Sequence, residues 1–447
     1  MTPSAPSSAR PFLPPDDGLR STLHNEVHAR PQARIRMPAL VLYVAVFNEG
    51  VSREQECAHL RLLPGQQDLT TEQMQGNFLR LRVEPCTLKW ERHSEFTRYS
   101  LVQPLPEQAL AGMGDAELLA SVLLPAGWLG GIPGRTVAAI QLLLLHGDLR
   151  DPATCLAQAK PWFGTQPLMA SVLGASAHSW ALTDFMLRPS GFERIVVIAP
   201  LDTSQTRAGR VSQRLLELET YRLMALRGLP VAKELSPMLA QAEGELADIT
   251  SRLENKSADD QELLDTLVSL SARVERATAT HMYRFSATRA YEALVTQRIA
   301  ELREATIPGI QTLGEFLQRR MSPAMATVAA TAQRLGSLSE RVARASALLR
   351  TRVDIAAELQ NQQLLAKLTR GQELQLHLQT TVEGLSIAAI SYYVVSLLLY
   401  AGKALKAVGV PLNPEMAVGA LIPLVLWGVW AASRRIHHSA MHMVRPE

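Results

Sequence analysis

GLSIAAISYYVVSLLLYAG, Gly384–Gly402, decides how the rest of this chain is read. It runs 19 residues without a charge, and a second uncharged run of 18, MAVGALIPLVLWGVWAAS, covers Met416–Ser433. At about 1.5 Å per residue, either run spans a hydrocarbon core of about 30 Å as a helix. Tyr392, Tyr393, Tyr400, Trp427 and Trp430 lie in or toward the ends of the runs, and Arg434-Arg435 closes the second, as interfacial anchors do. The pattern predicts a C-terminal two-helix transmembrane hairpin: spans at 384–402 and 416–433, a short loop at 403–415 and a basic tail at 434–447. The lipid bilayer is then the first expected partner.

Upstream of the first span the texture is helical back to about residue 201. Leu335, Leu338, Val342, Ala345, Leu349, Ala356 and Leu359 keep a three-four alternation, with Arg352 as the polar intruder. Pro323 is the last proline before Pro411, so one helix from about Ala324 to Ala401 is expected, on the order of 110 Å long. A lone helix of that length exposes its stripe, so it must pack on its own chain or on further copies, and a homo-oligomer is expected. Gln360-Asn361-Gln362-Gln363 interrupts the stripe. Gln360, Asn361 and Gln363 are read as a polar layer that sets register and copy number. Before the stalk, Leu267, Leu270, Val274, Ala277, His281 and Phe285 mark the apolar face of a helix from about Asp260 to Ile307, stopped by Pro308-Gly309. A helix over Thr206–Leu229 is interrupted by Pro230, and a shorter one follows from about Pro237 to Glu254. Residues 201–383 thus form a helical hairpin and stalk.

Residues 19–200 alternate differently. Strand-like runs fall at Leu40–Phe47, Phe78–Val83, Thr87–Arg92, Phe96–Val102, Val137–His146, Ala170–Ala177, Ser179–Leu187 and Ile195–Ala199, with helical patterns at Ser52–Leu63 and Asp115–Leu124. GWLGGIPG, Gly127–Gly134, is a glycine-rich turn without the spacing of a phosphate loop. The fold class is α+β: an N-terminal α/β sheet domain, a coiled-coil stalk and the terminal hairpin.

Composition narrows the partners. The 447 residues leave room for two or three domains, and a net charge of +3 with both signs interspersed gives no footprint for nucleic acid. Cys57, Cys86 and Cys155 are odd in number and lack metal-like spacing, which fits free thiols in a reducing compartment. The opening MTPSAPSSARPFLPPDD has no apolar signal region, and 1–18 are expected to be disordered. An even number of spans then keeps both termini cytoplasmic. Arg434, Arg435 and Arg445 agree with that orientation, and Lys403 and Lys406 oppose it.

LHNEVHARP (Leu23–Pro31), WERHSEFTRYS (Trp90–Ser100), AGRVSQRLLELETYRLMAL (Ala208–Leu226) and TVEGLSIAAISYYVVSLLLY (Thr381–Tyr400) resemble a bacterial family of membrane-anchored proteins. The resemblance implies a membrane-anchored cytoplasmic protein and supplies no activity; with the two spans, the expected place is the bacterial inner membrane, as a multi-pass protein. The order of parts also resembles CorA-type magnesium channels, which carry a Gly-Met-Asn triplet after the first span. Here that place reads Tyr400-Ala401-Gly402-Lys403, without the triplet. Were this a channel, Glu383, Ser391 and Ser396 would line its pore.

The chemistry-bearing residues gather in one candidate polar cluster: His24, Glu26, His28, Arg30, Glu91, His93 and Glu95. His24 and His28 share a helical face and are the candidate metal ligands. Glu26 lies two residues after His24, about 200° around a helix, so the zinc-protease spacing is not met. A hydrogen-bonded structural or partner-contact role with Arg30 is preferred. Strand period puts Glu91 and His93 on one face, where the flanking Glu91 and Glu95 would raise the His93 pKa. No motif places a serine, cysteine or lysine nucleophile, so no enzyme and no cofactor are expected. Asp184-Phe185 reads as a strand-end turn, and Glu217, Glu219 and Arg222 as i,i+3 and i,i+4-type pairing on a solvated or inter-helix face. The expected function is a self-assembling membrane-anchored scaffold that presents its α/β domain to a cytoplasmic protein partner.

Overall fold

The computed structural model describes residues 18–20, 23, 34–254, 260–407 and 413–442, with side chains through residue 435. The chain divides into two compact units, one ending at Ala345 and one beginning at Ser346. His24, Glu26, His28 and Arg30, nearly all of the expected disordered segment, and parts of the 255–260 and 403–415 turns lie outside the described residues.

ALVLYVAVF forms β1 (Ala39–Phe47), and all nine residues are buried. A strand apolar on both faces belongs in the middle of a covered sheet. β1 lies there, antiparallel to β4 (Phe96–Pro104) on one side and to β5 (Arg135–His146) on the other. Outward from β4 come β3 (Cys86–Arg92) and β2 (Phe78–Val83). Outward from β5 come β8 (Glu193–Ala199), β7 (Ser179–Thr183) and β6 (Met169–Leu173). Among the described residues only the β5–β8 neighbours run parallel. The eight-stranded sheet and the helices around it make the fold α+β.

Alternate residues of β1 serve opposite layers. Leu40, Leu42, Val44 and Val46 face α1 (Arg53–Leu60), α2 (Asp115–Ala120) and α3 (Pro152–Phe163), meeting Leu60, Leu118 and Trp162. Val41, Tyr43 and Ala45 face a core built from α4 (Gln205–Leu226), the end of α6 (Asp260–Leu302) and the start of α7 (Leu313–Ala407). The GWLGGIPG turn leads into β5. Gly134 has φ 116°, and a Cβ there would collide with the Phe47 carbonyl, so only glycine lets the turn lie against β1.

Several boundaries differ from expectation. β6 ends early, at Leu173, where Gly174 and Ala177 turn the chain at positive φ, and β7 ends early, at Thr183, ahead of Phe185 at φ 51°. Helix α3 was not expected. Asp151 caps it, accepting from the Ala153 and Thr154 amides at 3.1 and 3.2 Å, with Pro152 in its first turn. Helix α5 (Gly228–Glu254) begins nine residues earlier than the expected start at Pro237. Pro230 falls in its first turn, where a missing N–H costs nothing. Pro237 lies inside the helix and costs about 3 kcal/mol, which the buried Leu235, Leu239, Leu246 and Ile249 outweigh at about 1.5–3 kcal/mol each.

Helix α6 buries Leu267, Leu270, Val274, Ala277 and Phe285, and its His281 is half-buried. Helix α7 is continuous through 95 residues, beginning eleven residues before the expected Ala324. Thr312 and Glu315 cap it reciprocally, at 3.1 and 3.2 Å, and the Glu304 carboxylate accepts the Gly314 amide at 2.9 Å. In the first unit Leu335, Leu338 and Val342 are buried, and Arg334 of α7 pairs with Glu243 of α5 at 2.7 Å. The stalk stripe therefore packs on its own chain up to that point.

The second unit contains the rest of α7 and α8 (Pro414–His442). Both helices contain stretches long and apolar enough to cross a membrane, and only 6% of each most apolar window is buried. That exposure distinguishes them from the core helices of a soluble domain.

Candidate functional site

The β3–β4 hairpin places Glu91 directly opposite Arg98. Both side chains face α4 and are 1% and 4% exposed. Arg98 donates through Nε to Glu91 and through Nη1 to Glu217 of α4, the latter at 3.2 Å. The second oxygen of Glu217 accepts from Nε of Arg298 on α6 at 2.7 Å, and Arg298 continues to Glu301 at 2.8 Å. At the other end Lys89 Nζ lies 3.1 Å from Glu91. Six charges of alternating sign thus tie two strands to two helices, with Arg98 at the centre.

Electrostatics follows the geometry. Burial drives the Glu91 and Glu217 carboxyls up, but Arg98 together with Lys89 at Glu91, and with Gln213 and Arg298 at Glu217, outweighs it, and both end below the ordinary carboxylate value. Burial lowers Lys89, and Glu91 only partly restores it. Tyr43, hydrogen-bonded to Thr220 at 2.8 Å, is pushed up to about 12 by burial, against the pull of Arg98. Beside this network lies a small cleft of ≈ 80 Å³, partly open to solvent, lined by Arg34, Phe78, Arg80, Lys89, Arg98 and Gln213 among others. Its buried cations are already neutralised by Glu91 and Glu217. The Ser212 hydroxyl on its wall donates to the Ala208 carbonyl at 2.8 Å. The arrangement suits the holding of a ligand with both polar and apolar parts.

A second buried group lies further along α4. Glu219 and Arg222 pair one helical turn apart, and Arg222 reaches Glu193 of β8 at 3.1 Å. One guanidinium cannot neutralise two carboxylates. Burial and the neighbouring Glu219 push Glu193 up to about 9, so it keeps its proton, while Arg222 overcomes burial to hold Glu219 low. Glu217 and Glu219 are 5% and 2% exposed, so of the two faces expected for this pairing the solvated one is excluded: Glu217 pairs with Arg298 of a neighbouring helix and with Arg98 of the sheet.

Of the candidate cluster, Glu91, His93 and Glu95 line three different clefts. β3 ends at Arg92, so strand alternation does not extend to His93. Its ring stacks on Phe96 at 4.6 Å, beside Arg53, Asn77 and Tyr291. Glu95 pairs with Arg284 of α6. Asp184 ends the β7 strand region and pairs with Arg188 at 2.7 Å, as a strand-end turn would. Gln360, Asn361 and Gln363 are exposed on α7. Glu383 accepts from Gln379 at 3.3 Å, Ser396 is half-buried, and Ser391 is buried with no hydrogen-bond partner for its hydroxyl among the described residues. No group of three or more His, Cys, Asp or Glu is placed to hold a metal among the described residues. Cys57, Cys86 and Cys155 are free and buried.

Arg98, Glu217 and Arg298 were not legible as a site. The available signal was charge set among leucines, as in RLLELE at 214–219, on a face that must pack. No curated protein matches the chain. A family model described as Protein of unknown function (DUF3422) matches residues 15–440, and the chain belongs to that family.

Proposed function

We propose that this is a non-enzymatic protein anchored in the bacterial inner membrane by the apolar part of α7 and by α8, with both termini cytoplasmic, and that it self-assembles. The observation that carries the reading is a row on α7 after its buried segment ends. Leu364, Leu368, Gly371, Gln375, Leu378, Val382 and Leu385 follow one another at spacings of four and three, and the five apolar side chains among them are 57–67% exposed. Such spacing is the seam of a coiled coil, and it continues without a break into the uncharged run. A second copy of the chain offers the complementary seam, with the Gln360–Gln363 segment setting copy number. The α/β unit is then available to a cytoplasmic protein partner.

The test is light scattering of the detergent-solubilised chain, with flotation of reconstituted vesicles. The expected particle is a defined oligomer that floats with lipid and loses copies when Leu364, Leu368 and Leu378 are changed to Gln. A wild-type monomer at micromolar concentration sinks the assembly claim, and failure to float sinks the anchor.

The second reading, a divergent ion channel, is favoured by the order of elements: sheet unit, helical hairpin, one long helix and a second apolar helix. Its chemistry is weaker. No carboxylate lies between Glu383 and Glu415, Ser391 is buried, and Lys403 opposes cation access. Proteoliposomes are expected to take up no more magnesium than empty vesicles. Uptake that collapses on Glu383→Ala would replace the leading reading.

A further inference from the structure

A separate cleft of ≈ 940 Å³, open to solvent, lies where the end of β1, the start of β5, the end of α4 and the middle of α6 meet. Four arginines line it: Arg92, Arg135, Arg227 and Arg284. Arg92 is engaged by Glu56 at 2.7 Å, and one Nη of Arg284 by Glu95. Nη1 of Arg284 is buried without a hydrogen-bond partner among the described residues. Neither Arg135 nor Arg227 forms an ion pair among the described residues, and Glu49 is the remaining carboxylate on the wall.

The fold holds these cations together. Arg135 lies opposite Phe47 in the β1–β5 register, and the Arg227 guanidinium lies 4.1 Å from the Phe47 ring centroid. Arg284 comes from α6, so three elements deliver one guanidinium each. Burial, then the charges of Arg284 and Arg135, depress the Arg227 pKa, and Glu95 only partly offsets them. Like charges crowded in this way raise the free energy of the empty cleft, and a bound anion lowers it. A tetrahedral phosphate presents oxygens in several directions to planar guanidinium forks, which one carboxylate cannot do for three arginines. Phe47, Leu223 and Pro230 add an apolar wall, and the exposed Tyr283 ring stands at the edge, so the ligand has an organic part as well.

We propose that this cleft binds a phosphate-bearing organic ligand, with the phosphate held by Arg135, Arg227 and the unpartnered Nη1 of Arg284. The phosphate comes either from a soluble metabolite or from a lipid headgroup. The full-length chain in neutral detergent, titrated calorimetrically with ATP, inorganic pyrophosphate and dihexanoyl phosphatidylglycerol, tests it. At least one of the three is expected to bind saturably, and more weakly at high salt. Preference for ATP assigns the soluble source, preference for the phosphatidylglycerol assigns the headgroup, and pyrophosphate alone reduces the ligand to its phosphates while keeping the site. Arg227→Gln and Arg135→Gln, both at exposed positions outside any ion pair, are each expected to weaken binding about tenfold or more, with an unchanged circular dichroism spectrum. Absence of saturable binding for all three probes, or unchanged affinity in both variants, overturns the assignment.

Discussion

The two units treat water in opposite ways. In the first, Glu91, Arg98, Glu217 and Glu219 are all at most 5% exposed, and each carboxylate is matched to a guanidinium. In the second, Leu378, Tyr392, Tyr393 and Trp427 are 66–70% exposed. Scattered apolar side chains on a soluble surface need no explanation, but a continuous run of them does. The first unit turns these charges inward and pairs them, whereas the second has its apolar surface turned outward, toward the proposed bilayer and the proposed second copy. The comparison teaches where the missing environment of this molecule lies.

The sharpest way to break it is through Arg98. Arg98→Met leaves Glu91 and Glu217 buried without their shared cation, and the expected loss is about 3–5 kcal/mol in denaturant unfolding followed by tryptophan fluorescence. A loss well under 1 kcal/mol would mean that water already reaches the network and that the first unit does not hide its charges.

The next effect is pH-dependent. The Glu193 pKa in the folded chain, about 9, lies above its ordinary 4.5, so the folded state holds a proton that the unfolded chain releases. Stability present below about pH 4.5 therefore falls as pH rises toward 9. Glu193→Gln keeps a neutral partner for Glu219 and removes that fall, for an expected gain on the order of 2 kcal/mol at pH 8 and little at pH 4.5. Thermal melts of both proteins across this range check the slope, and parallel curves would show that Glu193 is ionised in the fold. The smallest effect is expected in the second unit. Leu376 is 63% exposed and lies off the seam, so Leu376→Gln should change the unfolding free energy by under about 0.5 kcal/mol. A larger loss would place Leu376 in a contact and blur the contrast.

The strands were legible where the alternation was local. β1 shows as a continuous apolar run and β5 as LLLL at 142–145, whatever packs on them. Helix α3 escaped because Pro161 lies within it and its buried residues, Cys155, Ala159, Trp162 and Phe163, are few. The start of α5 was misplaced because Pro230 reads as a break yet fits a first turn. At the site Glu91 was singled out as a candidate and Glu217 only for pairing along its own helix. Their network depends on Arg98 meeting Glu217 across 119 residues, and no periodicity in either segment encodes that meeting. The arginine cleft was hidden for the same reason, since Arg135, Arg227 and Arg284 have no spacing in common.

Helix α4 presents Glu217 to Arg98 and Arg298, and two residues later Glu219 to Arg222 and Glu193. Slide that helix by one turn, about 5.4 Å, and its leucines still find apolar neighbours, because oil is indifferent to which methyl it meets. The carboxylates do not: Gln213 or Tyr221 would replace Glu217 opposite Arg98, leaving a charge stranded on each side. The buried ions therefore work as an address that fixes where α4 comes to rest on the sheet. The heptad-spaced seam of α7 carries no charged address of this kind, and its polar interruptions, at Gln360–Gln363 and again at Gln375, are what tell one register from the next.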